Sequence, residues 1–283
     1  MTGNSISQDF GDPMIEAIQA AMGGAVFDVA QLEQPGLIPT RTVTSIWSKL
    51  AFAVANEVRF ALVHGPAGVG KTESVMEFAR NPAAALAKLR QTGTQVAWNQ
   101  NVETIYLQCL PQMDNYQMLI ELARVLKASR TINNRYLIHV VRDALALQRR
   151  MVVLDEAQRL NLHGLDTAKY LADTTGTTFV LITMDEYVPK IRQWRDIESR
   201  IGVVAQVGPV TLEELQRIYE PQGWRRDALQ ETHMVTGGIM RDVVRLIRLL
   251  ERAIELNGKT PGDVLPLYVR AAASQLHMTG GRR

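Results

Sequence analysis

The chain has 283 residues, of which 46% are hydrophobic and 21% are charged. These shares are typical of folded globular proteins, so they exclude a largely disordered chain and allow one domain of about 200 residues plus a smaller one. The 31 basic and 29 acidic residues give a formal net charge of +2, which neither requires nor excludes a polyanionic partner. The single cysteine, Cys109, excludes an intrachain disulfide and any zinc or iron–sulfur site built from several cysteines.

The sequence shows no membrane or export signal. No apolar run reaches the length of about 20 residues that a membrane-spanning helix needs. The first 20 residues contain Asp9, Asp12 and Glu16 but no Lys or Arg, which is the wrong charge pattern for a signal peptide. We therefore expect a cytoplasmic protein that does not associate with membranes.

The first predicted element is a short amphipathic helix over Met14–Met22, which two glycines end. We assign residues 1–38 to an N-terminal arm that carries this helix. After Pro39, apolar residues recur every three to four positions from Val43 to Val54, and this spacing predicts a longer helix.

Apolar runs typical of strands then alternate with helical segments. The predicted strands are Phe60–His64, Thr104–Leu110, Met151–Leu154, Phe179–Thr183 and Val203–Val207. Such alternation predicts an α/β domain with a mostly parallel five-stranded sheet and helices on both faces, which we place at residues 39–208. From Pro209 onward the pattern predicts only helices, at about residues 212–220, 225–235, 239–256 and 262–276, so residues 209–283 form a small all-α domain.

The segment after the first predicted strand has the phosphate-loop pattern Gly-x-x-x-x-Gly-Lys-Thr. The candidate nucleotide-binding residues are Gly65, Pro66, Ala67, Gly68, Val69, Gly70, Lys71 and Thr72, together with Glu73 in the following helix. Glycines allow backbone N–H groups to converge on phosphate oxygens, and the helix N-terminus adds positive potential. Lys71 would neutralise the β and γ phosphates of ATP, and the Thr72 hydroxyl would bind Mg²⁺.

A second motif follows the predicted strand Met151–Leu154, which ends in Asp155 and Glu156. Ligands of parallel sheets bind at the carboxyl ends of the strands. Asp155 there can hold Mg²⁺ through water, and Glu156 can orient and polarise a water for attack on the γ-phosphate. An Asp-Glu pair after a strand is weak evidence alone, but together with the phosphate loop it predicts ATP hydrolysis.

Val63–Thr72 and Val153–Gln158 resemble the Walker A and Walker B elements of AAA+ ATPases. The Asp-Glu-Ala-Gln form of the second element resembles the branch that contains the phage Mu B transposition protein, TnsC-type and TniB-type transposition regulators, and ExeA-like ATPases. The resemblance extends from about Pro39 to Leu276. It implies an AAA+ P-loop core followed by a helical lid, with ATP and Mg²⁺ bound, and self-assembly into a ring or helical filament.

The resemblance implies roles for three further residues. Thr183 matches the sensor-1 position, which contacts the γ-phosphate or the attacking water, although many relatives have Asn there. Arg200 matches the arginine finger, which reaches the nucleotide of a neighbouring subunit, with Arg192 and Arg195 as competitors. Arg241 matches the sensor-2 position of a lid helix, which closes over the phosphates of its own subunit. Each residue also has an ordinary structural interpretation, as a strand end, a surface ion pair or a solvated helix residue.

Two segments are candidates for contact with double-stranded DNA. Related transposition ATPases line a central channel with loops from the region before Walker B, where this chain has Arg130, Thr131, Asn133, Asn134 and Arg135. These side chains offer donors to phosphate oxygens, but several of them equally suit a helix cap. The second candidate is an arginine stripe at helical spacing, formed by Arg241, Arg245, Arg248 and Arg252, which we expect Asp242 and Glu251 to neutralise in part.

These observations predict a DNA-binding ATP hydrolase that oligomerises on DNA and regulates transposition by recruiting a transposase, with a target-selection protein as a candidate further partner. The motif chemistry predicts the hydrolase, and only the resemblance predicts the biological role. A helicase loader or replication initiator of AAA+ type would share every motif. An ATP-gated scaffold with incidental hydrolysis is the alternative from another functional class.

Overall fold

The computed structural model describes residues 12–23, 38, 40–91, 102–128 and 134–278. The chain divides into two compact units. The first, which we call the sheet unit, is Arg41–Gly208, and the second, the helical unit, combines Met1–Thr40 with Pro209–Arg283.

The helices and strands of the described residues follow one another along both units. In chain order they are α1 (Pro13–Gly23), α2 (Arg41–Ala55), β1 (Phe60–His64), α3 (Lys71–Arg80), α4 (Pro82–Gln91), β2 (Glu103–Gln108), α5 (Asn115–Val125), α6 (Asn134–Ala146), β3 (Arg150–Asp155), α7 (Leu162–Thr175), β4 (Thr178–Thr183), α8 (Val188–Gln193), α9 (Arg195–Glu198), β5 (Ile201–Gln206), α10 (Leu212–Tyr219), α11 (Arg226–Thr236), α12 (Met240–Asn257) and α13 (Pro266–Gln275). Within these described stretches, no helix combines the length and the apolar character needed to cross a membrane.

The five strands form one sheet in the order β2-β3-β4-β1-β5, and every pairing is parallel. The mostly parallel five-stranded sheet predicted from the sequence is therefore confirmed. The inner strands β3, β4 and β1 are buried along their whole length, whereas the edge strands β2 and β5 have buried and more exposed positions in alternation. Burial on both faces explains why the inner strands have nearly continuous apolar sequences.

Helices cover both faces of the sheet. On one face, alternate strand residues such as Leu62, Leu154 and Leu181 share a core with side chains of α5, α6 and α7. On the other face, α2 contacts β1 and β5. The buried Trp47 of α2 donates its indole N–H to the carbonyl of Ser74 at 2.8 Å, and this bond ties α2 to α3, the helix that follows the phosphate loop.

The helical unit has a core of its own, and α1 is part of it. The predicted helices after Pro209 are confirmed as α10–α13. The sequence predicts an arm over residues 1–38, but Met14, Ala17 and Ile18 of α1 are buried in the core that α10–α13 form. The amphipathic period predicts the helix itself, but it does not tell which partner covers the apolar face.

Ile18 provides a test of this packing, because its side chain is fully buried, with 0% exposure. Replacing Ile18 with Ala should lower the free energy of unfolding of the helical unit by about 2–5 kcal/mol, since a buried side chain is lost and a cavity remains. Denaturant unfolding followed by circular dichroism measures the change. The exposed neighbour Gln19 is the control, and Gln19→Ala should shift the value by less than about 0.5 kcal/mol. Equal effects of the two substitutions would show that α1 does not belong to this core.

Candidate nucleotide-binding site

Each glycine of the phosphate loop answers a particular backbone requirement. A Cβ on Gly65 would lie 2.2 Å from the carbonyl oxygen of Val207, so any larger residue would collide with the chain that leaves β5. Gly68 and Gly70 have φ angles of 79° and 94°, a region that glycine adopts without strain. The loop therefore depends on these three glycines to turn from β1 into α3.

Lys71 is the first residue of α3 and points back to the loop. Its Nζ donates to the carbonyl oxygens of Gly65 and Pro66, both at 2.7 Å. The N-cap residue of this helix is Gly70, which has no side chain to cap it, and backbone N–H groups at the start of a helix are donors that a ligand can use. A phosphate is the natural ligand, because it carries negative charge to both the ammonium group and the positive end of the helix.

The two sequence motifs meet at Asp155, which is 4% exposed at the carboxyl end of β3. The Thr72 hydroxyl donates to Asp155 Oδ2 at 3.0 Å, and the backbone N–H of Glu156 donates to Oδ1 at 2.9 Å. The structure thus brings together the two residues predicted to bind Mg²⁺. A hydroxyl and a carboxylate are suitable ligands, because Mg²⁺ prefers oxygen and takes only one or two protein groups beside phosphates and waters.

These two residues would hold the ion, which would neutralise negative charge on the phosphate oxygens. Across the described part of the chain, no cluster of three or more His, Cys, Asp or Glu side chains is arranged to bind a metal ion.

Tyr106 is a member of the site that the sequence analysis did not single out. Its phenol donates to Asp155 Oδ2 at 2.7 Å. Burial raises the pKa of Tyr106 well above its usual range, and the hydrogen bond to Asp155 adds to the effect, so the phenol remains a donor. Tyr106 reaches this position because β2 lies next to β3, where Tyr106 pairs with Val153. A tyrosine in a strand-like run is typical of packing, and the strand order was needed to find its function.

Glu156 lies at a sharp bend directly after β3. Its φ and ψ angles are 55° and 40°, in the left-handed region that non-glycine residues rarely adopt and that often marks a functional site. Glu156 Oε2 accepts a hydrogen bond from Gln158 Nε2 at 2.5 Å and lies 3.6 Å from the Arg159 guanidinium. The side chain predicted to orient water is therefore held by its own chain.

Thr183 ends β4, which lies between the two motif strands, and it is 2% exposed. Its hydroxyl donates to Gln158 Oε1 at 2.9 Å. Gln158 therefore links the predicted sensor-1 residue to Glu156. In the sequence Gln158 is only the last residue of the Asp-Glu-Ala-Gln motif, and its spacing does not predict that it contacts both side chains.

Arg200 lies at the amino ends of the strands, whereas the phosphate loop lies at their carboxyl ends. Its carbonyl accepts from the N–H of Phe60 at the start of β1, whereas the loop follows the end of that strand, roughly 17 Å away at about 3.3 Å per residue. The guanidinium Nε donates to both carboxylate oxygens of Asp173, at 2.7 and 3.0 Å. Arg200 therefore does not join the cluster around Asp155 in its own subunit. The competitors Arg192 and Arg195 are exposed and form no ion pair with other described residues.

Arg241 lies in the helical unit, exposed in the first turn of α12. The two glycines before it have structural reasons. Gly237 ends α11 with a φ angle of 59°, and a Cβ on Gly238 would lie 2.3 Å from the carbonyl oxygen of Val210. The contact of Arg241 with phosphates stays a prediction.

The arginine stripe of α12 is less neutralised than expected. Its four members, Arg241, Arg245, Arg248 and Arg252, form no ion pair with any described residue. The expected pairing with Asp242 and Glu251 is therefore not found in the described residues. Burial raises the pKa of the Glu251 carboxyl group, and the nearby charge of Arg248 partly offsets this effect. On the other side of the helix, Val243 and Ile247 are buried.

The first candidate segment for DNA contact lies mainly outside the described residues. This applies to Arg130, Thr131 and Asn133. Asn134 and Arg135 begin α6, and only their backbone is described. Contact of this segment with DNA stays a prediction.

Comparison with known proteins finds a family model that matches part of this chain. The family model described as the AAA domain matches residues 55–191, which contain the phosphate loop, Asp155, Glu156 and Thr183. Among the curated proteins, no match to this chain was found.

Solved structures share the fold at low sequence identity. The Orc1 protein of Aeropyrum pernix in complex with DNA is 17% identical, with a TM-score of 0.61 over 86% of this chain and 66% of that chain. The Orc2 protein of the same organism, in ADPNP–ADP complexes, is 18% identical, with a TM-score of 0.61 over 85% and 69% of the two chains. Cdc6p from Pyrobaculum aerophilum is 18% identical, with a TM-score of 0.64 over 88% and 70%. This chain thus spans 66% of the length of the Orc1 structure, and it has the AAA+ P-loop fold, with an AAA domain match over residues 55–191.

Proposed function

We propose that this protein binds and hydrolyses ATP at the phosphate loop. The observation that carries the proposal is the 3.0 Å hydrogen bond between Thr72 and Asp155, because it joins the Walker A and Walker B elements at one point. In that place Lys71 would bind the β and γ phosphates with its ammonium group, and the N-terminus of α3 would add backbone N–H donors. Glu156 follows Asp155 directly after β3. Its carboxylate is the group that we assign to the attacking water.

The hydrolytic step needs a group that accepts a proton from water. Glu156 Oε2 is engaged by Gln158, whereas Oε1 has no partner among the described residues. This second oxygen is suited to accept a hydrogen bond from the water and to hold it in line with the γ-phosphate. A positioned carboxylate of this kind contributes about 10²–10⁴-fold to a rate.

We also propose that the protein works as an assembly, with Arg200 completing the site of a neighbouring subunit. The support is its place at the amino edge of the sheet, which keeps it away from the phosphate loop of its own subunit. A guanidinium from a neighbour would stabilise negative charge that develops as the phosphate bond breaks. Nucleotide bound between subunits would then favour a ring or filament, and hydrolysis would weaken it.

Double-stranded DNA is the partner we propose, with transposition as the process that the ATPase regulates. The support for transposition is the resemblance of Asp155–Gln158 to the Walker B element of transposition regulators. In this role the assembly marks target DNA and recruits a transposase. The DNA-contacting groups come from residues 129–135 or from the arginine stripe, whose guanidinium groups suit phosphate oxygens.

A second candidate, a replication-initiator type of function, is favoured by the structural likeness to Orc1, Orc2 and Cdc6p. One of these proteins was solved in complex with DNA. About a third of that protein lies outside the part that this chain covers, so the likeness does not extend to its whole activity. The partner decides between the candidates: a replicative helicase supports the initiator role, and a transposase supports the first proposal.

The nucleotide site makes a paired prediction. Lys71→Ala should abolish ATP binding, because the cation that neutralises the phosphates is lost. Glu156→Gln should retain binding while the turnover number falls by about 10²–10⁴-fold, because the amide no longer accepts a proton from water. Equilibrium titration with a fluorescent ATP analogue and a phosphate-release assay measure the two effects. Unchanged ATP affinity in Lys71→Ala would remove the phosphate loop from the account.

The role of Arg200 is tested by mixing two inactive variants. Arg200→Ala should bind ATP but lose hydrolysis by about 10³-fold or more. Adding Glu156→Gln subunits, which keep Arg200, should restore part of the phosphate release, because a site that contains Glu156 can then lie next to a subunit that supplies Arg200. Arg192→Ala and Arg195→Ala are the controls and should remain active. Failure of the mixture, or loss of activity in either control, would assign the finger elsewhere.

DNA contact is tested through salt dependence. Arg130 and Arg135 changed together to Ala should lower affinity for duplex DNA and reduce the slope of log affinity against log salt by about 0.9 for each lost phosphate contact. The double variant Arg245→Ala with Arg252→Ala is measured in parallel, and an effect found only there places the contact on the arginine stripe.

The control for this experiment is a pair of arginines in the helical unit whose charges are already engaged. Arg225 pairs with Asp227 and Arg226 pairs with Glu220. Changing both arginines to Ala should leave the salt slope unaltered. If all three double variants keep the slope of the unmodified protein, neither candidate segment contacts DNA.

A further inference from the structure

Gln158 occupies a position between two functional side chains of the proposed ATPase site. Its amide nitrogen donates to Glu156 Oε2 at 2.5 Å, and its amide oxygen accepts from the Thr183 hydroxyl at 2.9 Å. Gln158 itself is half-buried, in the short 3-10 turn Ala157–Arg159 that follows β3. A single side chain therefore connects the ends of the neighbouring strands β3 and β4.

The chemistry of the three groups fixes the direction of both hydrogen bonds. An ionised carboxylate only accepts, so the amide N–H₂ of Gln158 must face Glu156. The amide oxygen then faces Thr183, and an oxygen acceptor requires the hydroxyl to donate. The proton of Thr183 is thereby committed to Gln158, and the arrangement has one consistent polarity.

Thr183 is a firm anchor for this chain of bonds. It is 2% exposed and belongs to an inner strand that is buried along its whole length. Glu156, in contrast, lies directly after β3 in the left-handed backbone region, and its long side chain can adopt several rotamers. The hydrogen bond from Thr183 fixes the amide of Gln158, and the hydrogen bond from this amide restricts the orientation of the Glu156 carboxylate.

We propose that Gln158 is a positioning residue for ATP hydrolysis, which holds Glu156 Oε2 so that Oε1 faces the attacking water. The proposal rests on the proposed ATPase function and adds a residue to it. Gln158 acts through Glu156 and does not itself touch the reacting atoms. The relay Thr183–Gln158–Glu156 thus connects the predicted sensor-1 position to the residue that orients water.

The experiment measures steady-state ATP hydrolysis by the full chain over a range of ATP concentrations, in parallel with equilibrium binding of ATP. Gln158→Ala should lower kcat about tenfold or more, because a hydrogen bond to a charged group and the alignment it gives are lost. The value of KM and the affinity for ATP should stay the same, since no contact with the nucleotide is removed. Gln158→Leu, which keeps the volume of the side chain, should behave like Gln158→Ala, and thermal unfolding of both variants reports whether they fold.

The control is another glutamine whose amide bonds to a carboxylate away from the site. Gln148 donates to Glu103 at the amino edge of the sheet. Gln148→Ala removes the same kind of bond and should leave kcat unchanged.

Double variants separate positioning from a general structural effect. In the Glu156→Gln background, adding Gln158→Ala should cause little further loss, because the relay has no carboxylate to orient. Thr183→Val should lower kcat, and combining it with Gln158→Ala should add little, whereas Thr183→Ser keeps the hydroxyl and should keep the activity.

Each outcome bears on the proposal. An unaltered or raised kcat in a folded Gln158→Ala variant would overturn the relay while leaving the ATPase proposal intact, as would full additivity with Glu156→Gln. An unmodified chain without ATP hydrolysis would overturn both the relay and the proposed function.

Discussion

The hydrogen bond between Thr72 and Asp155 depends on one topological constraint: β1 and β3 run in the same direction in one sheet, with β4 between them. Parallel strands present their carboxyl ends at a common edge, so the residues that follow each strand come together there. A helix N-terminus brings a cation and a hydroxyl to this edge, and the strand end brings two carboxylates. The proposed nucleotide chemistry uses both sets of groups: the cation and the helix N-terminus would bind the phosphates, and the carboxylates would hold Mg²⁺ and the attacking water.

Several elements that end near the carboxyl ends of the strands support the residues of the site. Gly65 allows the loop to pass the carbonyl of Val207 after β5, and Tyr106 reaches Asp155 from β2. Trp47 ties α2 to the helix that carries Lys71 and Thr72. The site is thus supported by neighbouring strands and by a helix on one face of the sheet, which is the kind of rigid support that precise positioning requires.

The amino ends of the strands lie on the opposite side of the sheet from the phosphate loop, and they carry an arginine in place of the carboxylates. Arg200 lies there, held by Asp173, near the start of β1, whereas the phosphate loop follows the end of that strand. In an assembly where the strand amino ends of one subunit lie near the strand carboxyl ends of the next, Arg200 would come close to the neighbour's phosphate loop. This separation within one chain is the structural support for the proposed ATP-dependent assembly.

The sequence predicted the parts of the site that depend on local pattern. The run Phe60–His64 followed by glycines, and the run Met151–Leu154 followed by Asp155, gave both motif strands to within one residue. Contacts between strand neighbours were not predictable, because Tyr106 and Gln158 gain their roles only through the strand order and the bend at Glu156. The packing of α1 was missed for a similar reason, since the apolar period of Met14 and Ile18 defines a face but not its partner.

The account is tested most directly by the effect of magnesium on ATP affinity. Equilibrium titration with a fluorescent ATP analogue, in Mg²⁺ and in a chelator, should show tighter binding with Mg²⁺ for the unmodified protein. Asp155→Asn should bind equally in both conditions, because a neutral amide is a poor ligand for this ion. A chain without affinity for adenine nucleotides, or a magnesium effect that persists in Asp155→Asn, would contradict the account.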